Sequence, residues 1–230
     1  SMDYREYSTS GAILDSEESS ISDLVGVDIG VSYLLSTYSS ISTKLETNLV
    51  ILGGDTVYKG SILGSGDPYG SVVSRTVNNI IDFDVVVKRN HKLNSDFDFY
   101  YAAGLGYRSW ERALSAAQIE DYEWYSLRTK LGLDYKVTNK LKVGAEFEYQ
   151  YSFNETMYAS NLGYTFDLGG ADIMKVSIPI SYSYTNNINI IAQATYEKQT
   201  IDHSNVVGGY YEPDSTAKNK YLKIGIDFKF

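Results

Sequence analysis

Asp202, His203 and Ser204 stand in a row: a carboxylate, an imidazole and a hydroxyl. An imidazole titrates near neutrality, so His203 can act as a general base towards water or a hydroxyl. Adjacency does not make a triad, which is defined by geometry in space. His203 therefore reads either as a general base near one rim of the fold or as a polar residue opening a loop. The other histidine, His91, lies between Asn90 and Lys92 and reads as a solvated turn residue. A further candidate is the carboxylate pair Asp82 and Asp84, separated by Phe83. Residues two apart on an extended strand share a face, so one set of cations can hold both acids. Cysteine is absent, which removes disulfides and thiolate sites. The loop acids lack EF-hand spacing. Gly104-Leu105-Gly106 has no following helix to cradle a phosphate. No metal and no cofactor is expected.

The elements that must position these residues are strands. Segments of about ten residues alternate between apolar and polar, and no helical periodicity appears. Val25, Val27, Ile29, Val31 and Tyr33 oppose Gly26, Asp28, Gly30 and Ser32. Ile81, Phe83, Val85 and Val87 oppose Asp82, Asp84 and Lys88. Leu141, Val143, Ala145, Phe147, Tyr149 and Tyr151 oppose Lys142, Gly144, Glu146 and Glu148. Similar segments recur to Leu222–Phe230, giving about ten strands, with eight as the alternative. The first, near Tyr4 to Ile13, has the poorest pattern. Pro179 interrupts the eighth, and a bulge is expected there because proline cannot donate to a ladder. Connections alternate between short turns and longer polar loops, the latter at 15–22, 53–75, 109–121, 154–172 and 202–220.

The 230 residues suit one all-β domain, 1–230. Ser1 and Met2 read as a cloning remnant ahead of a mature start, so a cleaved signal peptide is expected. Acids outnumber bases, 29 against 20, and a basic footprint for nucleic acid is missing. Tyrosine is abundant at 22 and proline scarce at 3, which favours strands. No apolar run reaches the ~20 residues of a membrane helix. A mean hydropathy of −0.25 suits a membrane barrel, in which only alternate residues meet lipid.

A soluble sandwich also alternates, so the polar faces must discriminate. Charges inside a barrel are confined and must pair. If a three-residue turn at 137–139 closes its hairpin, Asp134 faces Lys142, Lys130 faces Glu146 and Arg128 faces Glu148, all of opposite sign. With Asp82, Asp84 and Arg108 these residues form an expected lumen charge network, and the excess acid is assigned to the loops. Aliphatic residues fill the middles of the apolar faces, with tyrosines nearer the ends, as two aromatic girdles require. The expected fold is a transmembrane antiparallel up-and-down β-barrel.

The last eight residues add a resemblance. Lys223, Gly225, Phe228 and Phe230 match the terminal insertion signal of outer-membrane proteins, and the whole pattern resembles small bacterial outer-membrane β-barrels. That resemblance implies recognition by the barrel-assembly machinery, contact with outer-membrane lipid and lipopolysaccharide, and residence in the outer membrane of a Gram-negative cell. The expected role is structural or surface interaction, with long loops available to an extracellular ligand and a lumen filled by side chains. Two other roles stay open. Omptin proteases use an Asp-x-Asp pair facing an Asp-x-His pair. Asp82-Phe83-Asp84 resembles the first, but Asp202-His203 lacks the spacer of the second. Lipid A-modifying enzymes combine His, Ser and a carboxylate, types that Asp202, His203 and Ser204 supply. The remaining role is a small porin-like channel, which ten strands would leave narrow.

Overall fold

The computed structural model describes residues 1–62 and 65–229. Alternating side chains and β-branched and aromatic residues give eleven strands: β1 (Met2–Tyr7), β2 (Ile13–Glu18), β3 (Leu24–Tyr38), β4 (Ile41–Gly60), β5 (Val72–Lys92), β6 (Phe97–Ser115), β7 (Gln118–Lys136), β8 (Leu141–Ala159), β9 (Tyr164–Ser183), β10 (Ile188–Ser204) and β11 (Asp214–Phe228). All neighbours are antiparallel, and β3 to β11 follow one another in sequence order. β1 pairs with β11 and β2, and β2 pairs with β4, which closes the ring.

The wall is built differently at its two ends. In the upper part it has ten strand positions, β1, β2 and β4 to β11. Lower down, β3 continues from β2 and takes its place beside β4, from Leu24↔Gly54 to Tyr38↔Ile41. β1 reaches only to Met2↔Asn219, so below it β3 and β11 share no ladder among the described residues. Lys223 spans the interval, its Nζ lying 2.8 Å from Asp28 Oδ2.

The outward face marks a belt. On β7 it carries Tyr125, Leu127, Leu131, Leu133 and Tyr135, and on β9 Met174, Val176, Ile178, Ile180 and Tyr182, all exposed. A tilted strand crosses hydrocarbon in about 9–11 residues, which these spans match. Beyond the upper edge the same face turns charged: Glu123 and Asp121 follow Tyr125, Glu111 lies beyond Tyr107, Lys198 beyond Tyr196, and Lys220 and Lys218 beyond Leu222. The strands continue past the belt into water on this side, which is the outer rim.

This extension corrects the expected long loops. The segments 109–121 and 154–172 are mostly strand, closed by turns at 116–117 and 160–163. Their polar residues alternate with buried ones, and both faces are polar enough to resemble a loop. The expected first strand is a hairpin, β1 and β2. No bulge forms at Pro179, which stays in register opposite Gln193. On its β8 side the ladder keeps register but skips Gly144 and Ala145, and the proline ring packs 3.0 Å from where a Gly144 side chain would begin. Glycine there makes room for the ring.

Inside the outer extension, Tyr4, Trp110, Tyr122, Trp124, Phe166, Ile173 and Ile201 are buried in one cluster. Tyr4 meets Trp110 edge-on and Tyr122 stacks on it, each with centroids 5.3 Å apart. This aromatic plug fills the lumen above an ionic layer at belt height.

Candidate functional site

The ionic layer comes from alternate inward positions of β5 to β11. Register places Asp82 opposite Arg108, Asp84 opposite Gly106, and Arg128 opposite Gly104, from where its side chain reaches over Gly106. Asp82 Oδ2 accepts from Arg108 Nε at 3.0 Å and Nη2 at 2.5 Å. Its Oδ1 lies 2.5 Å from Arg128 Nη2, an ion pair whose N–H is not aligned for a hydrogen bond. Arg108 also reaches Glu197 at 3.0 Å and Gln199 at 2.9 Å. Lys130 lies 3.3 Å from Asp84 and 3.6 Å from Glu148, and Lys175 lies 3.3 Å from Glu197. Asp82, Asp84, Glu148 and Glu197 thus face Arg108, Arg128, Lys130 and Lys175, and the layer is neutral. A side chain at Gly106 would strike the Arg128 guanidinium, so glycine is what lets that arginine lie across the lumen.

Other expected pairings are corrected. The turn is 137–140, closed by Val137 N donating to Leu141 O, with Thr138 Oγ1 accepting from Lys140 N and Leu141 N. The hairpin closes on Val137 and Leu141 rather than on Lys136 and Lys140, one residue further along the chain, which moves the register by two: Lys130 opposes Glu148, Arg128 opposes Gln150, and Asp134 opposes Gly144. Lys142 still reaches Asp134 diagonally at 3.1 Å. Glu146 opposes Gly132 and accepts from Tyr100 Oη at 2.6 Å rather than pairing with Lys130.

A second polar group lies in the outer extension, beyond the belt. Arg112 is fully buried at its centre. Its Nε and Nη2 donate to Glu17 Oε1 at 3.0 and 2.7 Å. Its Nη1 meets Glu120 at 2.7 Å and Glu6 at 3.1 Å. Tyr122 Oη donates to Glu212. Tyr4, Trp110 and Tyr122 ring the guanidinium, with Tyr4 closest at 4.1 Å to its centroid. Glu17 stays below the usual range: burial pushes it up, but Arg112 and the Thr56 and Asn78 hydrogen bonds outweigh that. Burial, with the Glu6 charge beside it, pushes Glu120 up to about 6 and Asp15 up to about 7, and Glu212 well above the carboxylate range, although Arg112 opposes all three shifts. Glu17, Glu120 and Glu212 were assigned to acidic loops by sequence; they line the lumen instead. The signal lies in alternation that continues past the belt: Arg108, Trp110 and Arg112 on β6, and Glu120, Tyr122 and Trp124 on β7.

The hydrolytic candidates do not converge. His203 Nδ1 lies 3.0 Å from Asp214 Oδ1, with both side chains more than half exposed on the outer surface. Ile201 and Ser204 both face the interior, leaving Asp202 and His203 outside. Ser204 is buried; its hydroxyl donates to Asn205 O at 2.7 Å and accepts from Glu212 N at 2.8 Å. Asp82 and Asp84 lie in the belt-height layer, held by cations. His91 lies one residue before the end of β5, stacked on Tyr101 with centroids 5.6 Å apart, instead of lying in a free turn. Lys223 and Gly225 lie on the inward face of β11 and Phe228 on its outward face, while Phe230 falls outside the described residues.

A closed antiparallel ring, an apolar belt facing outward and an ionic interior define the fold of an outer-membrane β-barrel. Among solved structures, the chain superposes on the outer membrane protease OmpT from Escherichia coli with TM-score 0.54 and 11% identity, over 100% of this chain and 92% of that one. Looser superpositions are found with the Pseudomonas putida toluene transporter TodX (TM-score 0.39, 12% identity, 100% and 69% covered) and the NanC porin (TM-score 0.39, 12% identity, 100% and 99% covered). No protein-family model and no curated protein matches the sequence.

Proposed function

We propose that the chain is an integral protein of a Gram-negative outer membrane, inserted by the barrel-assembly machinery, that works as a plugged surface barrel. It presents its outer rim to extracellular partners and lets little pass. The observation that carries this reading is the double seal: fully buried Trp110, Tyr122, Trp124 and Arg112 stand above a neutral ionic layer. Ten strands enclose a lumen only slightly wider than side chains can fill. The belt residues would contact lipid, and the charged outer extension lies at the height of lipopolysaccharide headgroups. Planar-bilayer recording tests the seal. Purified, heat-modifiable barrel should give no unitary steps, whereas regular steps from wild-type protein would turn the reading into a porin-like channel.

The fold shared with OmpT raises a protease reading, and the His203–Asp214 pair at the rim is the one feature that favours it. Catalysis by such a pair needs a second acidic or nucleophilic group on the same surface. Ser204 faces away, Asp82 and Asp84 are sealed below, and Asp202, exposed beside His203, makes no hydrogen bond or ion pair with it, since the contacts of His203 go to Asp214.

A further inference from the structure

Arg112 and Glu17 neutralise each other, because two of the guanidinium nitrogens converge on one Glu17 oxygen. That leaves Glu6, Glu120 and Glu212, all buried, with one carboxylate oxygen from each lying within 4.8 Å of the others. Asp15, half-buried nearby, adds to the negative charge. Arg112 is the one cationic side chain ion-paired to any of the three among the described residues, and it reaches Glu6 and Glu120 but not Glu212. The layer below, by contrast, balances four acids with four bases.

Hydrogen bonds leave room on the carboxylates. Tyr4 and Arg112 share Glu6 Oε1, and Tyr122 takes Glu212 Oε1, so the second oxygen of each has no donor among the described residues. An independent pointer is Ser215. It stands directly opposite Glu6 across β1 and β11, faces the same interior, is 1% exposed, and its hydroxyl has no partner. Directly paired residues hold their Cβ atoms ~5 Å apart, so this hydroxyl lines the interior beside the carboxylate group. A buried hydroxyl without a partner is costly, and so are three buried carboxylates of which only two reach an arginine.

We infer that Glu6, Glu120, Glu212 and the Ser215 hydroxyl form a binding site for a hard divalent cation of the calcium class, entered from the outer rim. The donors are all oxygen, which suits Ca²⁺ and excludes a preference for soft metals. Glu6, Glu120 and Glu212 retain 7–9% exposure, which gives the ion a path from outside that the aromatic plug closes below. The ion would tie β1, β7 and the segment before β11 together at the point where the hairpin closes the ring.

Terbium is the probe, because it replaces calcium and is sensitised by nearby aromatic rings such as Trp110 and Tyr122. Refolded barrel in chelator-treated detergent should give saturable terbium emission that calcium displaces, and calcium should raise its unfolding midpoint. Glu120→Gln with Glu212→Gln should weaken terbium binding by about tenfold or more, since charge count sets affinity in such sites. The outward Glu123→Gln should leave it unchanged. If the double variant fails to fold, Ser215→Ala, which keeps every carboxylate, must still weaken binding. Folded wild type that ignores both ions holds its carboxylates with protons and overturns the inference. So does binding that survives in the folded double variant, or in Ser215→Ala where only that variant folds.

Discussion

Asp82 is the residue on which the belt-height seal turns, and its replacement by Asn keeps the shape while deleting one charge. Its two oxygens serve Arg108 at 2.5 Å and Arg128 at 2.5 Å, with Lys175 at 3.7 Å. At an effective dielectric near 20, each guanidinium contact at such distances is of order 6–7 kcal/mol gross. Desolvation offsets much of that, but the variant recovers none of the offset for the cations, which stay buried with net charge +1 in the layer. Breaking one partner out of a buried ionic group costs about 3–5 kcal/mol. Asp82→Asn should therefore lose about that much stability in reversible urea unfolding from detergent micelles, followed by the fluorescence of Trp110 and Trp124 directly above. Exposed Asp202→Asn should stay within about 0.5 kcal/mol of wild type. Adding Arg128→Gln to Asp82→Asn should restore part of the loss through charge balance. A loss below about 1 kcal/mol, or a double variant no better than the sum of the singles, would refute the idea that this layer is a neutral, mutually dependent network.

The turn-shifted register is tested by charge exchange: Glu148→Lys should destabilise the barrel, and adding Lys130→Glu should recover part of the loss, whereas Glu146→Lys should gain nothing from the same partner. Gel mobility of the folded form against temperature reads both. The outer cluster makes stability pH-dependent in chelator. Glu120, Asp15 and Glu212 bind protons more tightly folded than unfolded, so their contribution is present at low pH and fades as pH rises from the ordinary carboxylate range, about 4 to 4.5, through about 6 to 7. Glu17 acts in the opposite sense, below its ordinary range. The urea midpoint should fall between about pH 4.5 and 7, and Glu120→Gln should flatten the fall; a midpoint that rises across that window contradicts the burial argument.

The belt was legible because lipid imposes a simple rule: every second residue is apolar for the length of the hydrocarbon, as in Ile178, Ile180 and Tyr182. The rule lapses where water covers the outer face. Glu123 and Asp121 then alternate with Trp124 and Tyr122, and a residue-by-residue reading sees a polar loop where the ladder runs on. The hairpin register failed for a different reason. Closing the hairpin on either pair of residues places opposite charges near each other on these strands, since Lys130, Glu146 and Glu148 lie within two steps of one another. Charge complementarity alone could not choose; Thr138, which caps the turn closed by Val137 and Leu141, does.

The outer cluster was hidden by distance along the chain. Glu6, Glu120 and Glu212 are separated by more than ninety residues each, and only ring closure by β1 brings the first to the other two. Closure also explains why so much charge can be placed there. At belt height an unbalanced acid would face hydrocarbon outside and a sealed lumen within, so Asp82, Asp84, Glu148 and Glu197 need four bases. Above the belt, water lies around the wall and at the rim, and an excess of carboxylates can be met by protons or by an ion from outside. The two layers differ in balance because they differ in access to water, and the acid of this chain is concentrated on the side where a counter-ion can arrive.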